Sequence, residues 1–194
     1  LITPESDILL PAVGLNPQRT GLITTLIEMG ADLTITNERS EGGELVGDIQ
    51  VQSSKLSGIE VPAERAVSMI DEYPILSVAA ACAQGRTFMP GIAELRVKET
   101  DRIAVMAKGL QACGVSVVEK PDSLTVSGKE QITGGVAIGS QHDHRIAMSF
   151  LVLGMVSRRA VTVNGTETIA TSFPEFASLM NGAGAHIHAS EEKE

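Results

Sequence analysis

Leu110-Gln111-Ala112-Cys113-Gly114-Val115-Ser116-Val117-Val118 changes its periodicity at the glycine: an apolar helical run leads in and an alternating strand leads out. Glycine suits the residue that closes a helix, and period-two alternation suits a half-buried strand. The same switch recurs at Leu26-Ile27-Glu28-Met29-Gly30-Ala31-Asp32-Leu33-Thr34-Ile35 and at Leu179-Met180-Asn181-Gly182-Ala183-Gly184-Ala185-His186-Ile187-His188. A second unit interleaves with the first. Asp71 opens an apolar stretch to Ala83, followed by the strand and turn Arg86-Thr87-Phe88-Met89-Pro90-Gly91; Asp143 opens another to Val156, followed by Ala160-Val161-Thr162-Val163-Asn164-Gly165. Combined, they make a βαβαββ-like module present about two and a half times, which points to duplicated supersecondary units rather than a solenoid.

The pattern predicts strands near 8–13, 32–36, 48–52, 86–89, 115–119, 123–127, 134–138, 160–163 and 185–188. It predicts helices near 17–29, 71–83, 98–113, 143–157 and 173–181. The polar, Gly-rich segment 37–47 reads as a connection. Helices 71–83 and 143–157 are apolar nearly all round, so they should lie buried side by side with sheets outside them. The fold class is therefore mixed α/β (α+β), with residues 1–190 as one incomplete domain and 191–194 as a charged tail. The chain starts at Leu1 and enters a predicted strand within a few residues, so an upstream part is expected to be missing.

The 194 residues can hold one sizeable core. Aromatics make up only 3%, so Ala, Val, Ile, Leu and Met must build it. A formal net charge of -9 argues against a general nucleic-acid binder. Cys82 and Cys113 have no metal or redox spacing; buried free thiols in a reducing, cytoplasmic setting are expected. No run of eighteen apolar residues occurs, so no membrane span is expected.

Three charged clusters open helices. Asp71 in Met69-Ile70-Asp71-Glu72-Tyr73-Pro74 reads either as a simple N-cap or as a functional carboxylate. Arg96-Val97-Lys98-Glu99-Thr100-Asp101-Arg102 carries five charged residues in seven, with Lys98 and Arg102 expected on one helical face. Cations in a first turn oppose the helix dipole, a conflict that a bound anion would resolve. Gln141-His142-Asp143-His144-Arg145 repeats the arrangement, with Asp143 as cap. Convergent arginines, a lysine and carboxylates at helix starts suit a small phosphate- or carboxylate-bearing molecule with acid/base chemistry beside it. A solvated, salt-bridged set of first turns in a plain packed domain is the other reading. His142 and His144 have no diagnostic metal spacing.

These clusters also carry a resemblance. Arg96–Arg102 resembles the RVKE(T/S)DR segment of 5-enolpyruvylshikimate-3-phosphate (EPSP) synthases, and Asp143-His144-Arg145-Ile146-Ala147-Met148 resembles their DHRxAM segment. Ala170–Phe176 is similar to the region before their last helix, and Met69–Pro74 to the version in the bacterial class that includes glyphosate-tolerant members. The resemblance implies that residues 1–190 are part of the C-terminal domain of an EPSP synthase-like fold, built of repeated βαβαββ units around buried parallel helices. It implies transfer of the enolpyruvyl group of phosphoenolpyruvate to shikimate 3-phosphate, releasing phosphate, with no metal or organic cofactor. By motif, Asp71 would bind the sugar-like ring and accept the 5-hydroxyl proton, and Glu99 would act as acid/base at the methylene carbon. Lys98 would contact shikimate 3-phosphate, Arg102 and Arg145 would hold phosphoenolpyruvate, and His144 would orient the site. Many relatives have Lys in place of Thr171, and some have Asn near Glu94. Family members run to over four hundred residues, so the partner expected for this chain is the missing N-terminal portion, and the chain alone is expected to be inactive. The UDP-N-acetylglucosamine enolpyruvyl transferase shares the fold and is the nearest alternative. A non-catalytic assembly fragment is the alternative from another class.

Overall fold

The computed structural model describes residues 1–189; the expected charged tail 191–194 lies outside them. Strand β1 (Asp7–Gly14), helix α1 (Gly21–Glu28), and strands β2 (Asp32–Glu41) and β3 (Glu44–Gln52) come first. They form an antiparallel sheet in the order β1-β3-β2. The register sets Ile8, Val51 and Leu33 abreast, then Leu10, Ile49 and Ile35, so one face is apolar. The polar segment 37–47, expected as a connection, is instead mostly strand: β2 and β3 meet at a tight turn over Gly42 and Gly43. A bulge between Thr36 and Arg39 interrupts the alternation, which hides the strand from a period-two reading.

Helix α2 (Tyr73–Cys82), strand β4 (Arg86–Met89), helix α3 (Arg102–Ala112), and strands β5 (Ser116–Lys120) and β6 (Ser123–Ser127) form the next unit. Its antiparallel sheet runs β4-β6-β5, and parallel bridges from Ser57 to Gln84 and from Glu60 to Phe88 supply the leading strand position. This is one full βαβαββ module. Strands β7 (Ile132–Gly134) and β8 (Ala137–Gly139), helix α4 (His144–Gly154), strands β9 (Ser157–Arg159) and β10 (Thr162–Asn164), and helices α5 (Ile169–Ser172) and α6 (Phe176–Gly182) begin another.

Several expected boundaries move, each for a local reason. The single strand expected at 134–138 is split into β7 and β8, which pair in parallel with β9 and β10 in separate sheets. Gly134 and Gly135 sit between them at φ 60° and 75°, and a Cβ on Gly134 would lie 2.1 Å from the Arg159 carbonyl oxygen. The strand expected at 160–163 starts only at Thr162 as β10, and a separate strand, β9, precedes it because α4 ends at Gly154, short of the expected 157. Residues 185–188 are not a strand; the Asn181 amide satisfies both backbone groups of Ile187, at 2.9 and 2.8 Å, where a ladder partner would otherwise be needed. The three helix-closing glycines behave as expected, with Gly30, Gly114 and Gly184 at φ 89°, 83° and 99°.

The core is aliphatic and centres on α2, α3 and α4. In α2, Tyr73, Leu76, Val78, Ala80 and Ala81 are all at most 1% exposed. In α4, Ile146, Ala147, Phe150 and Leu153 are fully buried, while Met148, Leu151 and Met155 on its far side are half-buried. The α2–α4 contact is the most extensive between any two helices among the described residues, as the apolar patterning predicts. No helix among the described residues is long and apolar enough to cross a membrane.

Two measurements test this packing. A Cβ on Gly109 of α3 would lie 2.2 Å from the Phe150 ring of α4. Gly109→Ala should therefore destabilise by about 1–3 kcal/mol through overpacking, despite its better helix propensity. Gly182→Ala, with open space around it, should be neutral or mildly stabilising in the same urea titration. Tyr73 is the chain's one tyrosine, and burial raises its phenol to about 12 against a weaker opposing pull from Arg65. Because the folded value exceeds the unfolded one of about 10, its contribution should be complete below pH ~10 and lost as pH rises towards ~12. Tyrosinate absorbance should titrate near 12 in the folded chain. A midpoint near 10 without unfolding would contradict the buried placement.

Candidate active site

The N-terminal ends of α2, α3 and α4 meet at one rim. Arg102, the first residue of α3, is the hub. Its side chain is 1% exposed, and each guanidinium nitrogen donates to a different carboxylate. Nε donates to Asp143 Oδ2 at 2.7 Å, Nη1 to Asp71 Oδ1 at 3.0 Å and Nη2 to Glu99 Oε2 at 2.6 Å. The cation at a helix start is thus met by three carboxylates, which settles the dipole conflict from within the chain.

Asp143 does two jobs from a fully buried position. Oδ1 caps α4 by accepting from the Arg145 and Ile146 amides at 2.9 and 3.4 Å, while Oδ2 takes the Arg102 bond. The chain reaches Asp143 through Gln141 and His142, both left-handed at φ 53° and 60°. Two successive non-glycine residues there represent stored strain, of the kind held where geometry matters. Thr100 Oγ1 donates to Gln141 Oε1 at 2.7 Å and ties this kink to the loop before α3.

Asp71 does not cap α2. It lies in the 3₁₀ turn Ile70–Glu72, and Glu72 holds the N-cap position with no side-chain cap bond. The Asp71 carboxylate instead faces Arg102, and Arg145 Nη2 at 3.6 Å; Arg145 Nη1 donates to the Asp71 carbonyl at 3.2 Å and approaches Glu72 at 3.5 Å. Burial pushes Asp71 up, but Arg145 and then Arg102 outweigh it, so its pKa lies below the usual carboxylate value. Burial raises Glu72 above its ordinary value, with Arg145 opposing.

Lys98 and Glu99 do not belong to a helix beginning at 98, as the spacing predicts. Residues Ala93–Val97 form a 3₁₀ turn, Lys98 is extended, and α3 starts only at Arg102. Lys98 therefore does not share a helical face with Arg102; it pairs with Glu94 at 2.7 Å, although its charge still acts on Asp71. Glu99 does reach Arg102 and is half exposed. His144 is half-buried at the start of α4, and among the described residues no hydrogen bond engages its ring. His142 contacts Glu167 in the open. Thr171 lies exposed on α5, where its hydroxyl donates to the Thr168 carbonyl at 2.8 Å.

Asp71, Glu99, Arg102 and Arg145 thus converge, with Lys98 at the margin. Sequence reasoning identifies Asp143 only as a cap and passes over Glu72. The signal for Asp143 lies in its motif, because an aspartate capping a helix keeps a second oxygen free for a cation.

The buried pair predicts a coupled stability effect. Arg102→Ala should cost about 3–5 kcal/mol in denaturant, because Asp143 is left charged and buried. Asp143→Asn keeps the cap and should still lose a large part of that. The double variant should be markedly less damaged than the sum of the singles; additive losses would contradict the pair.

The family model described as EPSP synthase (3-phosphoshikimate 1-carboxyvinyltransferase) matches residues 1–180. The chain is 58% identical over 189 residues to the 3-phosphoshikimate 1-carboxyvinyltransferase of Cereibacter sphaeroides, covering 97% of this chain and 42% of the relative. It is 59% identical over 188 residues to that of Paramagnetospirillum magneticum, covering 96% and 42%. A solved EPSP synthase from Acinetobacter baumannii superposes with a TM-score of 0.94 at 48% identity, covering 98% of this chain and 44% of that one. The enolpyruvyl transferase NikO from Streptomyces tendae, at 18% identity and TM-score 0.72, shares the fold. The chain therefore spans less than half the length of the relatives it matches. With its repeated modules and the carboxylate–arginine rim at three helix starts, the chain belongs to the EPSP synthase family.

Proposed function

We propose that this chain supplies one side of an active site that transfers the enolpyruvyl group of phosphoenolpyruvate to the 5-hydroxyl of shikimate 3-phosphate, giving EPSP and phosphate. The observation that carries the proposal is the convergence of Asp71, Glu99, Arg102 and Arg145 from segments far apart in sequence. The names of relatives more than half identical favour shikimate 3-phosphate over a UDP-sugar as acceptor. The two free cysteines, with burial raising Cys82 to about 11 and Cys113 in the same direction, suit a reducing, cytoplasmic setting.

Arg102 is anchored through Nε on Asp143, and its two Nη atoms face rim carboxylates. Arg145, one-third exposed, flanks them. In this reading the two guanidinium groups exchange Asp71 and Glu99 for the carboxylate and phosphate of phosphoenolpyruvate, whose geometry suits bidentate forks. Lys98 turns from Glu94 to shikimate 3-phosphate, and His144 borders the same helix start.

The exchange has an electrostatic consequence. Arg145 and Arg102 hold Asp71 below its ordinary value while they face it. Once they turn to the substrate anions, Asp71 becomes a stronger base as the 5-hydroxyl needs one. The hydroxyl oxygen bonds to C2 of phosphoenolpyruvate, Asp71 takes its proton, and Glu99 gives one to C3. In the second half, C3 returns a proton to Glu99, the C2–O bond to phosphate breaks, the departing phosphate takes the proton held by Asp71, and the double bond reforms.

A water-excluding cleft needs a second wall, which we assign to the remaining length found in the relatives. The 194-residue chain alone should show no measurable phosphate release from phosphoenolpyruvate and shikimate 3-phosphate. Joined to that remainder, it should turn over, and Glu99→Gln should remove most of the activity, by roughly 10²-fold or more, without unfolding the protein. Robust turnover by the chain alone, or an unimpaired Glu99→Gln enzyme, would refute the proposal.

A further inference from the structure

Lys98 and Glu99 sit in a segment that burial does not hold. Lys98–Thr100 lie in no helix or strand, and the preceding Val97 is 81% exposed. Something other than apolar packing must fix this stretch, because four ordered backbone residues carry several kcal/mol of conformational entropy cost at about 1–2 kcal/mol each.

Arg96 meets that need. Its Nε donates to the Pro121 carbonyl at 2.7 Å and its Nη2 to the Lys120 carbonyl at 2.6 Å. Nη2 also meets Glu119 Oε1 at 2.9 Å. Nη1 donates to Asp101 Oδ2 at 2.8 Å. The other oxygen of Asp101 caps α3 by accepting from the Ala104 amide at 3.0 Å. Upstream, the Ile92 amide donates to the Asp122 carbonyl at 2.9 Å, on the same β5–β6 turn. The design repeats the one at α4, where a capping aspartate gives its second oxygen to an arginine. It differs in exposure. Arg96 and Asp101 are 24% and 39% exposed, so their pair should add little to global stability.

We infer that Arg96 is a positioning residue for the proposed reaction. It staples the Val97–Thr100 segment to the β5–β6 turn and to the cap of α3, so that Lys98 and Glu99 are presented at a fixed distance from Arg102. The inference rests on the roles proposed above for Lys98 and Glu99. Displacing a reacting group by about 1 Å can cost ~10²-fold, whereas an exposed ion pair contributes at most ~1 kcal/mol to folding. The two effects are therefore separable.

The test uses the complete enzyme that carries this chain. Arg96→Gln removes the fork. Asp101→Asn keeps a good cap but turns an amide towards Arg96. Each should lower kcat by roughly tenfold or more while Tm falls by only about 2–4 °C. The double variant should be little worse than either single, and Arg96→Lys should recover only part of the loss. Amide exchange at Val97–Thr100 should quicken in both single variants. Wild-type kcat in Arg96→Gln, a loss that merely tracks the unfolded fraction, or additive singles would each overturn the inference. A parallel Glu99→Gln measurement separates the two levels. If that variant is dead and Arg96→Gln is normal, only the staple is wrong; if Glu99→Gln is fully active, the site reading fails first.

Discussion

Arg102 Nε and Asp143 Oδ2 lie 2.7 Å apart beneath the rim, and neither side chain is more than 1% exposed. Two charges in that position are tolerable only because each is paired and hydrogen-bonded on its other atoms. Asp143 spends its second oxygen on the amides of α4, and Arg102 spends its remaining nitrogens on Asp71 and Glu99. One joint therefore fixes three helix starts relative to one another. The aliphatic core then keeps the helices packed along their length, with Gly109 admitting the Phe150 ring where α3 and α4 cross.

The joint also decides where charge is available. Arg102 is sealed on its Nε side and opens towards the rim only through Nη1 and Nη2. Arg145 and Lys98 are more accessible, at 33% and 25%, and each is held by carboxylates that a substrate anion could replace. Each rim cation, Arg102, Arg145 and Lys98, is thus met by carboxylates from within a chain whose overall net charge is -9. In the proposed reaction, anion recognition is a partner exchange among fixed groups, and Asp71, held low by its cations, would gain proton affinity as they leave it.

The helix-closing glycines Gly30, Gly114 and Gly184 were readable because a left-handed closing residue is a local property, and a strand follows the first two as the change of period predicts. The buried helices α2 and α4 were readable because they are apolar all round. Boundaries failed where long-range contacts intervened. The crossing of Gly134 against Arg159 cuts one expected strand in two, and Asn181 replaces a ladder partner for Ile187. The polar stretch 37–47 joined a hairpin because its neighbours supplied register that its own alternation lacked.

The candidate site divides along the same line. By itself the sequence determined the duplicated α/β modules, the motifs that mark the family, and the charged residues at helix starts, since periodicity, capping preference and motif spacing are written in consecutive residues. Only the tertiary structure decided that Asp71 leaves its cap position for two arginines, that Asp143 serves as both cap and counter-charge, and that Lys98 lies in a stapled loop beside Glu94. Lys98 and Glu94 are only four residues apart, but the first two outcomes depend on which distant charge arrives within hydrogen-bonding reach once the helices pack. Such pairings cross 31 to 74 residues of chain, and no local pattern encodes them.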